Sequence, residues 1–427
     1  MNKYFSKKSV LLCFVLIFTF SLHDIQAKPT KPILVFNLDY ADLMQIKKQI
    51  KRGKADVKSA YLKLIQEADS ISDLAPLKVT DGDIPPTGNP HDFFTIGKYA
   101  FPNPKTKDGM PYIRKDGVTN PEARTDKYDL YRYEQTVARI NTLSLAWFYT
   151  ENEEYAAKAA TFIRVWFLDA HTRMNPNFEC AAALPGVYNG MAIGIIFGAQ
   201  LVNFLDHIQL LRLSESWSEA DNEALKNWVD MYISWLQTSK FGLEISRSPN
   251  NMGSWYSAQI AAGAIYTGNI ALAKQTIETA KKQLAEQIAV SRDDFPDGSF
   301  PHEIKRNQSF LYSLFGLEAF CALAGCAEVV GMDLWHFKAE NGSSMRMAFD
   351  FLTHYLSGQK EWTFKSLTEV NKLMPKATGM VRQAVKAYNT KELRKVHKYL
   401  RQYVDIASSR FLVVPYTSSC FSMKWIR

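Results

Sequence analysis

The stretch Tyr256–Ile288, YSAQIAAGAIYTGNIALAKQTIETAKKQLAEQI, decides the fold class. Its second half carries apolar residues at the 3.6-residue period of an α-helix, namely Ile270, Ala273, Ile277, Leu284 and Ile288. Tyr266–Asn269 interrupts the pattern with a short turn sequence, and another apolar helix precedes it. Two helices joined by so short a connection predict an antiparallel helical hairpin.

The same pattern returns along the chain. Apolar residues recur with helical period near residues 140–147, 156–167, 228–235 and 315–326, and the alternation typical of β-strands is nearly absent. Hairpins laid side by side form a ring or a solenoid, and the chain has no sequence repeat of fixed length. We therefore predict an all-α fold, an (α/α) toroid or incomplete α/α barrel of antiparallel helical hairpins.

The composition narrows the class of protein. With 427 residues, 47% hydrophobic and 22% charged, the chain is typical of a folded globular protein, which excludes intrinsic disorder and fibrous structure. The formal net charge of +8 favours an anionic partner without separating nucleic acid from an acidic sugar. Lys and Arg do not cluster among aromatic residues as they do on nucleic-acid-binding surfaces, so we expect no nucleic acid partner.

The first 27 residues have the pattern of a secretory signal peptide. Lys3, Lys7 and Lys8 precede an apolar run over residues 10–22, and Ala27 ends a cleavage site. The run is shorter than the ~20 residues that span a bilayer, so we expect cleavage and no membrane anchor in the mature chain. The sequence thus predicts a signal peptide over 1–27, a single domain over 28–427 and a periplasmic or secreted protein.

Four cysteines follow the leader, at positions 180, 321, 326 and 420. They form no CxxC motif and no cluster with histidine at zinc-ligand spacing, so we predict no metal site. Cys321 and Cys326 lie five residues apart in a helical pattern, which turns them to different faces and disfavours a mutual disulfide. The sequence neither predicts nor excludes a disulfide between Cys180 and Cys420.

Three segments stand out for their order and spacing. They read TRMNPNF at Thr172–Phe178, NNMGSWY at Asn250–Tyr256, and DGSFP at Asp297–Pro301 followed by Arg306 and Tyr312–Phe315. Together they resemble the alginate lyase family of polysaccharide lyases over most of the mature chain. The resemblance implies a helical toroid with a groove for an acidic polysaccharide, and eliminative cleavage without a cofactor.

The residues of these segments suit that reaction. A uronate polymer is cut by removing the C5 proton, next to a carboxylate, and expelling the glycosidic oxygen from C4. The proton is not acidic while the carboxylate is ionised, so the site must hold that group with charge or strong hydrogen bonds. Asn251, with Asn250 beside it, precedes a helix that we expect to start near Ser254, where an anion is favoured. The alternative for Asn251 is a plain helix cap.

Arg306 lies in a loop before a helix whose first turn is predicted to contain Tyr312, with Asn307 or Ser309 as the cap. An arginine in such a loop can fold back beside a first-turn tyrosine. The resemblance implies that Tyr312 takes the C5 proton, gives a proton to the leaving oxygen, or does both. Arg306 is then expected to lower the pKa of the phenol. The alternative is a core tyrosine with a surface arginine.

One position departs from the family. Many members carry histidine directly after the paired asparagines, where it neutralises the carboxylate or acts as a base, and here the residue is Met252. Three outcomes follow: chemistry by tyrosine alone, a histidine recruited from elsewhere, or a catalytically inactive carbohydrate-binding relative. His302 is the first candidate for a recruited histidine and His171 the second, and each has a purely structural alternative.

Further substrate contacts are predicted from an irregular segment over residues 76–120, here called the early loop. Lys98 and Tyr99 lie in it, where related enzymes place substrate-binding residues. A lysine contacts carboxylates and an aromatic ring covers a sugar face, so the pair suits a subsite. Trp255 is also predicted to cover a sugar face, and the alternative is that it lies in the core. The predicted function is a lyase for alginate or a β-linked glucuronan.

Overall fold

The computed structural model describes residues 34–292 and 294–403. The predicted signal peptide and Cys420 lie outside these residues. The described residues form fourteen α-helices. They are α1 (Tyr40–Lys51), α2 (Ala55–Ser72), α3 (Asp129–Thr150), α4 (Glu153–Ile163), α5 (Ala199–Leu211), α6 (Glu219–Thr238), α7 (Lys240–Ile245), α8 (Asn251–Thr267), α9 (Ile270–Gln287), α10 (Pro301–Ile304), α11 (Ser309–Val329), α12 (Met345–Leu356), α13 (Met374–Tyr388) and α14 (Lys391–Leu400).

Short elements connect the helices. Four strands are described, β1 (Phe94–Ile96), β2 (Ala100–Phe101), β3 (Ile113–Arg114) and β4 (Cys180–Ala183). The strand β1 pairs in parallel with β4, and β2 pairs antiparallel with β3. Five 3-10 segments lie at Val79–Asp81, Pro121–Arg124, Ala192–Gly198, Val370–Leu373 and Arg401–Tyr403, and a π-helical segment at Arg164–Leu168.

The predicted hairpin is confirmed as α8 and α9. Gly268 ends α8 with φ at 88°, a left-handed conformation that glycine adopts without steric cost. Asn269 then caps α9 by accepting a hydrogen bond from the Leu272 N–H. A similar short break separates α3 from α4, with Glu151 in the left-handed region and Asn152 capping α4. Turn and cap chemistry therefore reverses the chain between long helices.

The centre of the core is built from α8 and α11. The helix α8 packs against α5, α6, α9 and α11, and nearly every residue of α8 and α11 is buried. A helix that is apolar all round has this central place because it has no polar face to turn to water. Gly263 lets α8 approach α6 closely, since a Cβ there would lie 2.6 Å from a methyl group of Ile233. The stretch over α11 is long and apolar enough to cross a membrane, and it lies 89% buried inside the protein.

The early loop is held in place by short strands and by hydrogen bonds to a distant part of the chain. It contains β1, β2 and β3, and β1 is held by β4 from a distant part of the sequence. The segment TRMNPNF fixes it from the other side, because the Asn175 amide donates to Asp92 (2.8 Å) and the Asn175 N–H donates to the His91 carbonyl (2.8 Å). Strands of two to four residues are too short to show alternation, which is why the sequence pattern missed them.

The described cysteines Cys180, Cys321 and Cys326 are free and buried. The pair five residues apart on α11 therefore forms no disulfide, as the helical spacing predicted. Cys321 and Cys326 belong to the hydrophobic core, and burial raises the pKa of both thiols. These two cysteines act as small core residues.

Candidate active site

A cavity of about 320 Å³ opens where the early loop meets the first turns of α8 and α11. Lys98, Tyr99 and Arg114 reach it from the early loop. The start of α8 contributes Asn250, Asn251 and Met252, and the chain before and at the start of α11 contributes Arg306, Leu311 and Tyr312. Residues between Ala182 and Phe197, along with Phe315, complete the wall.

Tyr312 and Arg306 lie together. The guanidinium carbon of Arg306 is 4.4 Å from the centroid of the Tyr312 ring, so the arginine of the entry loop folds back over the first-turn tyrosine as predicted. The cap of the helix differs from the prediction, because Gln308 holds the N-cap position. Asn307 instead donates to the backbone carbonyl of Asp116 (3.2 Å), and the Ser309 hydroxyl donates to the carbonyl of Lys365 (2.6 Å).

Tyr99 is the nearest polar partner of Tyr312. The two phenolic oxygens are 2.5 Å apart, a short hydrogen bond. Backbone hydrogen bonds on both sides hold Tyr99, since the Lys115 N–H donates to the Tyr99 carbonyl (2.9 Å) and the Asn120 N–H donates to the Lys98 carbonyl (2.8 Å). The early loop thus brings a second phenol to Tyr312, and Lys98 lies beside Tyr99 with Nζ 5.5 Å from the Tyr99 ring centroid.

The Tyr312 phenol is held in its protonated form in the free protein. Burial is the main cause that raises its pKa, and the contact with Tyr99 adds to this effect. The positive charge of Arg306 lowers the pKa, as expected, but is outweighed. The expected effect of Arg306 is therefore present, and desolvation of the phenolate is the larger effect.

Asp116 fixes the arginines of the site. Its carboxylate accepts from the guanidinium of Arg306 (2.9 Å) and lies 3.4 Å from that of Arg114. Asp116 is far from Arg306 in the chain, so sequence spacing gave no signal for this pair. The Asp116 carboxylate fixes the orientation of the Arg306 guanidinium, which lies over the Tyr312 ring.

Asn251 is positioned by a buried acid. The helix α8 begins at Asn251, three residues before the predicted start, and Asn250 is the cap, accepting from the Met252 N–H (3.0 Å). Asn251 donates both its backbone N–H (2.8 Å) and its side-chain amide (2.6 Å) to one oxygen of Glu303. Glu303 is 1% exposed, burial raises its pKa, and its other oxygen has no protein partner among the described residues.

Replacing Glu303 with Leu is expected to lower kcat/KM by ~10-fold or more, because Asn251 loses the acceptor that orients its amide. Glu303→Gln is the matched control, since its side-chain carbonyl can still accept both hydrogen bonds, and it is expected to keep most of the activity. Steady-state kinetics of the two variants compare these outcomes. Equal activity of Glu303→Leu and the unsubstituted protein contradicts a positioning role.

Two residues predicted to contact substrate, Trp255 and His302, do not line the cavity. Trp255 is 2% exposed, and its indole N–H donates to the Phe315 carbonyl (3.1 Å), so it is a core residue behind the wall. His302 is exposed on α10, and it does not line the cavity. His171 is exposed as well. No histidine of the described residues lines the cavity, whereas Met252 does.

The charges of the cavity wall have one sign. Lys98, Arg114 and Arg306 line it, and no carboxylate is among the described residues that do so. Asp116, which pairs with Arg306 and Arg114, offsets one of these charges, and the positive charge that remains favours an anion. Within the described residues, no group of three or more His, Cys, Asp or Glu side chains is arranged to hold a metal ion.

Comparison with known proteins gives the family. The family model of alginate lyases matches residues 79–362. The structure of an alginate lyase from Bacteroides ovatus superposes with a TM-score of 0.82 and 30% sequence identity, covering 89% of this chain and 98% of that one. A variant of alginate lyase A1-III complexed with tetrasaccharide has the same fold, with a TM-score of 0.50, 17% identity and coverage of 78% of this chain and 80% of that one. A search of curated proteins finds no match.

These matches confirm the predicted fold class, because the similar structures are α/α toroids and the described helices pair as predicted. They also confirm the resemblance first seen in the three sequence segments. The chain belongs to the alginate lyase family and is a carbon–oxygen lyase acting on polysaccharides.

Proposed function

We propose that this enzyme cleaves a uronate-containing polysaccharide, alginate or a β-linked glucuronan, by β-elimination. The observation that carries the proposal is the convergence of one phenol, one guanidinium and one amide on a single cavity. Tyr312, Arg306 and Asn251 all line it, and Arg306 stacks on the Tyr312 ring. Family membership supports the reaction class, and the all-positive wall supports an acidic substrate.

The carboxylate of the reacting sugar binds Arg306 and Asn251 in this proposal. Arg306 supplies positive charge, and the Asn251 amide, aimed by Glu303, supplies a hydrogen-bond donor. Together they stabilise the negative charge that develops on the carboxylate when C5 loses its proton. The buried position of the site strengthens both interactions, because few waters screen them.

Tyr312 moves the proton. The phenol first loses its proton to solvent hydroxide, a step that the positive charge of Arg306 favours. The phenolate then takes the C5 hydrogen as a proton, the electrons of the C5–H bond form the C4–C5 double bond, and the C4–O bond breaks with its electrons on oxygen. The new phenol then gives its proton to that oxygen, so the phenolate is restored and no cofactor is consumed. The Tyr99 hydroxyl lies 2.5 Å from the Tyr312 hydroxyl oxygen. In this proposal Tyr99, Lys98 and Asn250 contact the sugar.

The test is an absorbance assay on a panel of polymers. The product carries a C4–C5 double bond conjugated to the carboxylate, which absorbs ultraviolet light. We expect absorbance to grow with polymannuronate, polyguluronate or glucuronan and not with a neutral polysaccharide of similar length. Binding without absorbance on every uronate polymer contradicts the proposal and favours the catalytically inactive carbohydrate-binding relative that Met252 suggested.

Export is also part of the proposal. The pattern of residues 1–27 supports a cleaved leader, and a polymer substrate too large to enter a cell suits an enzyme in the periplasm or outside the cell. The mature chain is expected to begin at Lys28. Sequencing the N-terminus of protein recovered from the periplasm or medium checks this, and an intact leader contradicts it.

A further inference from the structure

The cavity that holds the polar groups also has an apolar wall. Its aliphatic and aromatic members come from three parts of the chain: Met191, Ile193, Ile196, Met252, Leu311 and Phe315. Met191, Ile193, Met252 and Leu311 are only partly buried against the core, so part of each side chain remains uncovered beside the cavity. The wall is thus available to a ligand and is not simply the interior of the core.

An unsubstituted uronate is a poor match for this wall. Its ring carries hydroxyl groups and a carboxylate, and a hydroxyl placed against aliphatic carbon loses hydrogen bonds to water without gaining a partner. Flat sugar faces pair with aromatic rings, and Tyr99 and Tyr312 offer such rings in this cavity. The five wall residues at 191, 193, 196, 252 and 311 are all aliphatic. A small apolar group attached to the sugar fits this surface without that penalty.

Met252 lies where the apolar wall borders the polar and charged residues of the cavity. This side chain follows Asn251 directly, so it lies next to the group proposed to hold the reacting carboxylate. Lys98 and Arg114 line the same cavity as Arg306, so the polymer's other carboxylates lie near positive charge. A ligand that fits both surfaces is a polymer with carboxylates for the cations. Its reacting sugar residue also carries a substituent with a methyl group for the apolar wall.

We propose that the preferred substrate is an esterified uronate polymer, with the methyl group of the ester packed against Met252 and the apolar wall. This inference rests on the lyase function proposed above. Two sources share the chemistry, an O-acetyl ester on a ring hydroxyl and a methyl ester of the carboxyl. The methyl ester also removes the charge of the reacting carboxylate, so the C5 proton becomes more acidic without a neutralising histidine.

The experiment compares kcat/KM on matched polymers. One uronate polymer is prepared unmodified, partly O-acetylated and partly methyl-esterified, at equal chain length. We expect kcat/KM to be ~10-fold higher for one esterified form than for the unmodified polymer, the size of preference that a small apolar group gives in a hydrophobic pocket. The acetylated and methylated arms identify which ester the wall accepts.

Met252→Gln is expected to bring the ratio of esterified to unmodified kcat/KM toward one, because it replaces the apolar surface with an amide of similar length. Met231→Gln is the matched control, since Met231 is 50% exposed on α6 and outside the cavity wall, and it is expected to keep the parent ratio. The parent ratio decides the question even where Met252→Gln fails to fold. An unmodified polymer cleaved as well as both esters overturns this inference and leaves the lyase proposal intact. Cleavage of no polymer overturns both.

Discussion

Tyr312→Phe is expected to lower kcat by ~10³-fold, within the range that general acid–base groups contribute, while KM changes little. The substitution removes one oxygen atom and keeps the ring on which Arg306 stacks. The variant therefore has no group to accept the C5 proton or to protonate the leaving oxygen, yet it retains the charged groups that bind the polymer. Initial rates of product absorbance and an independent binding isotherm measure the two effects separately.

Tyr266→Phe is the matched control for this experiment. Tyr266 is also a buried tyrosine with a hydrogen-bonded hydroxyl, which donates to Asn222 (3.1 Å). It lies near the other end of α8, roughly 21 Å along the helix axis from Met252. Full activity in Tyr266→Phe with a large loss in Tyr312→Phe supports the assignment. Retained turnover in Tyr312→Phe removes Tyr312 from the chemistry.

Arg306→Gln is expected to lower kcat/KM by ~10²-fold or more, because the developing charge on the substrate carboxylate loses its cation. A second effect follows from the contact with Tyr312. Arg306 lowers the pKa of the Tyr312 phenol, so its removal raises that pKa further. Since the phenolate is the reactive form, the rising limb of the pH profile of kcat/KM is expected to move to higher pH. A rate measurement across neutral and alkaline pH shows the shift.

The control variant for Arg306 is Arg346→Gln. Arg346 pairs with Asp350 on the surface of α12, outside the cavity wall, and the pH profile is expected to stay where it was. A loss of activity in Arg306→Gln with an unchanged pH profile indicates that the arginine binds substrate without tuning the phenol. A shift to lower pH contradicts the electrostatic argument directly.

Local sequence predicted the helical parts of this protein well. The hairpin of α8 and α9 follows from apolar periodicity and a glycine that can adopt a positive φ, both of which act over a few residues. The approach of Arg306 to Tyr312 is similarly local, since six residues separate them. The start of α8 was placed three residues late, because Asn250 caps the helix and Asn251 already belongs to its first turn.

The groups that position the site were not predictable in this way. Glu303 reaches Asn251 across 52 residues and Asp116 reaches Arg306 across 190, so each pairing depends on how distant helices and loops pack. Trp255 is the opposite case, a residue that was predicted to contact the sugar and instead lies in the core. A tryptophan beside functional asparagines suggested a sugar platform, but the helical turn directs its ring into the core against Phe315. Its direction depends on where α8 begins.

The most direct test of the account is the mass of the product. Elimination adds no water, so the fragment with the new non-reducing end is lighter than the corresponding hydrolysis product by one water and carries a C4–C5 double bond. We predict such unsaturated oligosaccharides with the parent enzyme and almost none with Tyr312→Phe. Saturated products, heavier by one water, contradict the proposed chemistry at Tyr312 and Arg306.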